Sequence, residues 1–421
     1  MKGRVIVLGS AIAAAFAFSI WLNKPDLDLE PLAPATLESP TLEQVKAGEY
    51  LVQIGNCVAC HTDQGGAAFA GGRAVPTPFG EVYSSNLTSD DETGLGRWTN
   101  QDFYRAMRHG RSKDDRWLSP AFPYTSYTNL KREDSDAMFA WLQTLAPIKR
   151  VQTPDTLRFP YGTQLATRAW RALYFKPATT ADIAAMDRGR YLVEGLGHCA
   201  ACHSARGALG GLRSNTSYMG GEIASLGWDA LPLAPTQVPS KPMTDSEAKE
   251  LGQLLKTGIN TDKAVAGPMS EVVFHSLQHL KDDDLAAIVA TLRALPMADA
   301  PPVARVPQVS PEQRQSLRAR GKLVYAEHCA DCHGDAGEGR ANVYPALAGN
   351  ANVNAVSASN ALNLTLNGGF PPSTAGNPFP YGMPPFSQSL SRPDVAAVLT
   401  YIRSEWGNDA PAVSVVEVER R

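Results

Sequence analysis

The chain of 421 residues holds six cysteines, and all six fall in one pattern repeated three times. The copies read Cys57-Val-Ala-Cys60-His61, Cys199-Ala-Ala-Cys202-His203 and Cys329-Ala-Asp-Cys332-His333. C-x-x-C-H is the spacing that attaches a c-type haem: two thiols add to the two porphyrin vinyl groups, and the adjacent histidine is delivered to the iron. The other chemistries open to a Cys pair fit less well. A zinc site takes four Cys or His ligands and would strand one pair. A thioredoxin-like pair needs a βαβ setting, and a disulfide framework suits a much shorter secreted chain. The motifs therefore predict three covalently bound haems, with His61, His203 and His333 as proximal iron ligands.

The second ligand of each iron has to come from elsewhere, and a thioether is the natural candidate. After His333 the only methionine is Met383, in Tyr-Gly-Met-Pro-Pro, 50 residues on. Met269, in Ala-Gly-Pro-Met, lies 66 residues past His203, with Met243 as its rival. Met107 lies 46 residues past His61, with Met138 as its rival and His109 as an alternative ligand that otherwise reads as a solvated loop histidine. Ligation by His and Met fills both axial positions, which favours electron transfer over catalysis at iron. Each proximal His is also expected to donate its other ring N–H to a carbonyl. Pro345 is the candidate for His333 and Pro76 or Pro78 for His61; none stands out for His203.

Three repeats must position these groups. Before each motif runs a helix carrying Gly48-Glu-Tyr-Leu-Val, Gly189-Arg-Tyr-Leu-Val or Gly321-Lys-Leu-Val-Tyr, whose glycine lets another helix cross at close range. A closing helix ends each repeat. Its apolar positions are Met138, Trp141, Leu142 and Leu145, then Leu285, Ile288, Val289 and Leu292, then Val395, Val398, Leu399 and Ile402, each set on one helical face. Acidic residues open each closing helix, with Ser391 as N-cap of the third. The expected fold is mainly α: three tandem class I cytochrome c domains with long Gly- and Pro-rich loops, at 40–148, 180–297 and 308–408. Between them lie a linker at 149–179 and a Pro-rich spacer at 298–307. The first linker carries an amphipathic candidate helix, Phe159 to Phe175, that packs one domain on another or lies at a membrane surface.

Lys2 and Arg4 precede an uncharged apolar run from Val5 to Leu22, so residues 1–24 read as an export signal or a membrane anchor. Thirty-nine Lys and Arg against 42 Asp and Glu leave a net charge of −3, which excludes the broad cationic surface that nucleic acid selects.

From about residue 45 to 408 the chain resembles the three-haem cytochrome c subunits of bacterial membrane-bound alcohol, gluconate, fructose or sorbitol, and aldehyde dehydrogenases. The motifs that carry the resemblance include Gly71-Gly-Arg73, Ser85-Asn-Leu-Thr88, Thr93-Gly-Leu-Gly-Arg-Trp98, Pro120-Ala-Phe-Pro-Tyr124, Ala266-Gly-Pro-Met269 and Met383-Pro-Pro-Phe386. The resemblance implies a role at the periplasmic side of the inner membrane. A separate catalytic subunit (a flavo-, molybdopterin or quinoprotein) oxidises the substrate, and electrons leave through the three haems to ubiquinone. Two features depart from the pattern. Some relatives place Met where this chain has Phe122, so Met107 is expected to serve instead, and some end in a membrane-binding segment that is not seen here. The stretch from Gly227 to Pro242 is nearer to cytochromes that serve molybdenum-cofactor aldehyde or N-heterocycle hydroxylases. The competing functions are a free-standing periplasmic electron shuttle and a haem enzyme such as a peroxidase.

Overall fold

A computed structural model describes residues 39–213, 217–223, 225–234, 243–296 and 309–421; the apolar run at 5–22 and the spacer from 298 lie outside them. Among the described residues no helix is long and apolar enough to cross a membrane. The chain forms two compact units. One takes the described residues up to Glu49 with His61–Met186, and the other takes Tyr50–Cys60 with Asp187–Arg421. The second and third expected domains thus fall in one unit, together with the segment that leads into the first Cys pair.

Helix α1 (Leu42–Ile54) opens the chain. In the first unit it is followed by an antiparallel ribbon, β1 (Ala74–Thr77) and β2 (Gly80–Tyr83), with Ala74 opposite Tyr83 and Thr77 opposite Gly80. Helix α2 (Asn100–His109) starts at a Thr99–Asp102 capping box and stops at Gly110, whose φ of +59° suits a residue without Cβ. The closing helix α3 (Arg132–Leu142) buries Met138 and Leu142; Leu145 falls past its end and uses its carbonyl to accept from Ser89 Oγ. Phe103 on α2 lies 5.4 Å from Phe139 on α3, which joins the two helices through aromatic packing.

The expected amphipathic helix is α4 (Gln164–Tyr174). It packs on its own unit through an arginine. Arg171 is 5% exposed and its guanidinium lies 4.1 Å from Trp117, 5.0 Å from Tyr124 and 4.3 Å from Phe175, while Leu165 and Leu173 face outward.

In the second unit α5 (Arg188–Arg190) runs directly into a π-helical turn over Tyr191–Leu196. The sequence explains the turn. From the crossing glycine to the first motif cysteine there are nine residues in repeat one, eight in repeat three and ten in repeat two. The surplus residue is absorbed by widening one turn to i→i+5 bonds. Next come a ribbon, β3 (Gly221–Ile223) and β4 (Trp228–Ala230), then α6 (Asp245–Thr257), α7 (Pro268–His275) and the closing helix α8 (Asp282–Arg293). The third repeat contributes α9 (Pro311–His328), α10 (Ser359–Asn367), the closing helix α11 (Arg392–Ile402), capped by Ser391 as expected, and α12 (Val415–Glu419).

The glycine prediction holds in all three repeats. A Cβ on Gly48 would lie 1.8 Å from the carbonyl oxygen of Ala137 on α3. On Gly189 it would lie 2.2 Å from that of Ala287 on α8, and on Gly321 2.1 Å from that of Ala397 on α11. Each motif helix thus crosses its closing helix backbone against backbone. In the third repeat the crossing sits in a core of Val324, Tyr325, Leu362, Leu366, Val395, Val398 and Leu399.

Candidate haem-binding sites

Each motif lies on a short helical turn: Cys57–Cys60, Ala200–His203 and Ala330–His333. Within each, the first cysteine is partly buried and the second exposed, and none of the six is in a disulfide. Burial pushes the first thiols up, Cys57 and Cys199 to about 12 and Cys329 to about 11, so they rest as thiols. That is the reverse of a redox-active C-x-x-C pair, whose attacking sulfur is held as a thiolate. Among the described residues no three His, Cys, Asp or Glu side chains converge as they would around a bare metal ion.

The histidines are held alike. His61 Nδ1 lies 2.7 Å from the Ser85 carbonyl, His203 Nδ1 2.7 Å from that of Leu231, and His333 Nδ1 3.0 Å from that of Pro345. Burial lowers the pKa of all three rings, with the carbonyl contact opposing it, so the neutral imidazole is the resting form. With Nδ1–H donating, the Nε2 lone pair is left to bind iron. The expectation for His333 is met. For His61 the partner is Ser85 instead of Pro76 or Pro78, because both prolines lie within or beside the β1–β2 ribbon and the chain reaches the histidine only after β2 ends.

One device builds all three contacts. The histidine's own carbonyl accepts from a glycine N–H: Gly71 to His61 at 2.8 Å, Gly220 to His203 at 3.0 Å and Gly339 to His333 at 2.8 Å. Each glycine has positive φ (+73°, +80° and +69°). A Cβ on it would strike the backbone next to the acceptor: 2.5 Å from Ser85, 3.2 Å from Leu231 and 2.8 Å from Pro345. Only a residue without Cβ lets the acceptor strand lie against the motif turn. The spacing from His to this glycine is 10, 17 and 6 residues, which hid the equivalence in the sequence.

A second equivalence appears in the loops that follow. Helices α2, α6 and α10 each end at a positive-φ glycine, Gly110, Gly258 or Gly368, and the next residue forms an isolated bridge: Arg111 to Trp117, Ile259 to Ala264, Gly369 to Met383. In repeats one and two the loops close on the same glycine, with Leu118 N–H donating to Gly110 at 2.8 Å and Val265 N–H to Gly258 at 2.9 Å, the first loop being one residue longer. Four residues further on stand Phe122 and Met269. Phe122 therefore occupies the register of the repeat-two methionine, and Met383 sits at the bridge itself. Met107 comes from α2, three residues before Gly110, where repeat two has Leu255 and repeat three Thr365; it is 5% exposed, whereas Met269 and Met383 are partly exposed. Met138 is core of α3, and Met243 lies beside the Thr244 cap of α6. His109, expected in solvent, is 2% exposed at the end of α2.

Partly buried, carbonyl-oriented imidazoles beside paired thiols fit a covalently held haem. The cytochrome c family model matches residues 45–146 and 318–406, the first and third repeats. The gluconate 2-dehydrogenase cytochrome c subunit of Pantoea cypripedii is 35% identical over 87% of this chain and 87% of its own length. The chain belongs to the family of dehydrogenase cytochrome c subunits. Another relative, the fructose dehydrogenase cytochrome subunit of Gluconobacter japonicus, is 31% identical over 92% of this chain and 84% of its own. A nicotinate dehydrogenase subunit of Pseudomonas putida is 36% identical over 91% of this chain, which spans only 32% of that longer protein. This family supplies electron-transfer subunits, not the catalytic ones, and its members carry haem c.

Proposed function

We propose that the protein is a three-haem c-type cytochrome that carries electrons from the catalytic subunit of a periplasm-facing, membrane-bound dehydrogenase to membrane ubiquinone. The observation that carries this reading is the threefold recurrence of one built feature: a C-x-x-C-H turn whose histidine is fixed through Nδ1 on a backbone carbonyl. Bound haem c supplies reversible one-electron exchange at iron. Cys57 and Cys60, Cys199 and Cys202, and Cys329 and Cys332 would form the thioethers. His61, His203 and His333 would be the proximal ligands, with Met107, Met269 and Met383 opposite them. The apolar run at 5–22 would hold the chain at the inner membrane. The expected domains at 40–148, 180–297 and 308–408 would then each carry one haem.

The test is purification of the native protein from membranes. The expected result is three covalent haems per chain, a co-purifying flavin-, molybdopterin- or quinone-containing subunit, and ubiquinone reduction on addition of that subunit's substrate. A soluble monomer without a partner would replace this reading by the free shuttle. Carbon monoxide binding by the reduced native protein would point to an open iron and a haem enzyme.

A further inference from the structure

The third repeat reaches into the second at strand β4, which lies next to the acceptor of His203 and to the glycine before Met269. Strand β4 pairs with β3 along one edge. Along its other edge it meets the side chain of Asn360 on α10, which acts as a one-residue strand. Asp229 N–H donates to Asn360 Oδ1 at 2.8 Å, and Asn360 Nδ2 donates back to the Asp229 carbonyl at 2.8 Å. The same Nδ2 also donates to Asn352 Oδ1 at 2.7 Å, so this 7%-exposed amide is fully used. One helical turn on, Asn363 Nδ2 donates to the Gly227 carbonyl at 2.7 Å, which also accepts from Arg421 at 2.9 Å.

What this clamp holds is specific. Two residues past Asp229, the Leu231 carbonyl accepts from His203 at 2.7 Å. One residue before Asp229, the Trp228 indole lies against Gly267, where a Cβ would come within 2.7 Å of the ring. Gly267 has positive φ and opens α7, whose second residue is Met269. A three-residue strand thus touches the supports of both candidate ligands of one iron, and its free edge is fixed by a neighbouring repeat. We infer that Asn360 is a positioning residue for the second haem: the third repeat, through Asn360 and Asn363, sets the His203 and Met269 geometry and with it the reduction potential of that haem.

Groups that orient metal ligands tune the metal they serve. The inference rests on the reading that His203 and Met269 ligate iron. Its test is spectroelectrochemical titration of the full haem-loaded protein. The second haem's component is identified as the one missing from a Cys199→Ala/Cys202→Ala chain. Asn360→Leu keeps the branch at Cγ and removes both bonds to β4; it should displace that component's midpoint and leave the other two in place. Asn352→Ala, which removes only the bond that does not reach β4, should leave all three in place. Should Asn360→Leu fail to assemble, Asn363→Ala should displace the same component less far. Three unchanged midpoints, a common shift of all three, or a shift confined to another component would overturn the inference. A native chain with fewer than three covalent haems would instead overturn the haem reading beneath it.

Discussion

At the scale of single residues, the first repeat is the informative exception. Phe122 stands at the register that Met269 occupies in repeat two, and a phenyl ring has no lone pair to offer iron. The thioether of repeat one is instead on a helix, at the register of the core residue Leu255. If Met107 ligates, Met107→Leu removes one of three methionine–iron charge-transfer signatures from the oxidised spectrum and lets carbon monoxide bind one haem of the reduced protein. The double variant Met107→Leu/Phe122→Met moves the thioether to the loop register and should restore the lost signature. A native protein with only two such signatures would show that Met107 is core and nothing more. The three C-x-x-C-H motifs were legible because haem attachment ties its chemistry to residue type and spacing. Ser85 and Leu231 were not, since a carbonyl acceptor is a backbone atom that any residue supplies.

At the scale of elements, the crossing glycines were readable and the ion pair that fixes one crossing was not. The N-terminal turn of α8 carries Asp284, 7% exposed. It accepts from Arg188 Nε at 2.8 Å and Nη2 at 2.7 Å, and from the Tyr50 hydroxyl at 2.7 Å; that hydroxyl in turn accepts from Lys281 N–H at 3.1 Å. One carboxylate thereby ties α1, α5 and α8 together beside the Gly189 crossing, in a geometry no local motif announces. The Arg188 bond above all holds its pKa below the ordinary value of 3.8, and burial with the Asp284 bond pushes the Tyr50 phenol up to about 12. A depressed folded-state pKa means that the unfolded chain binds the proton first as pH falls. The stabilisation is therefore complete above the unfolded carboxylate pKa and is lost as pH drops below it towards the folded value. Asp284→Asn should cost about 1.5–3 kcal/mol at neutral pH, the range for hydrogen bonds to a charged group. The deficit should narrow in melts taken through the acid limb; a deficit that stays constant with pH would exclude this role.

At the scale of the whole molecule, three repeats were legible because motif, crossing glycine and closing helix recur in order. The division into two units was not, because the bonds that merge repeats two and three are made by backbone atoms and isolated amides. Ala346 N–H donates to the Asp262 carbonyl at 2.9 Å, one residue after the Pro345 that orients His333. Thr374 Oγ1 donates to the Thr257 carbonyl at 2.9 Å, and the Pro372 ring lies where a Cβ on Gly258 would be. Repeats two and three should therefore unfold together, which a change deep in repeat three can reveal. Gly321→Ala places a methyl group against the Ala397 carbonyl, forces α9 away from α11 and should cost about 1–3 kcal/mol, the usual penalty of overpacking. Calorimetry of the haem-loaded protein should then show two transitions, with the one shared by the second and third repeats lowered and the first repeat's left in place. If the second repeat kept its native melting temperature while only the third haem's absorbance changed early, the two repeats would be energetically separate, and the Asn360 clamp would have to act through local geometry alone.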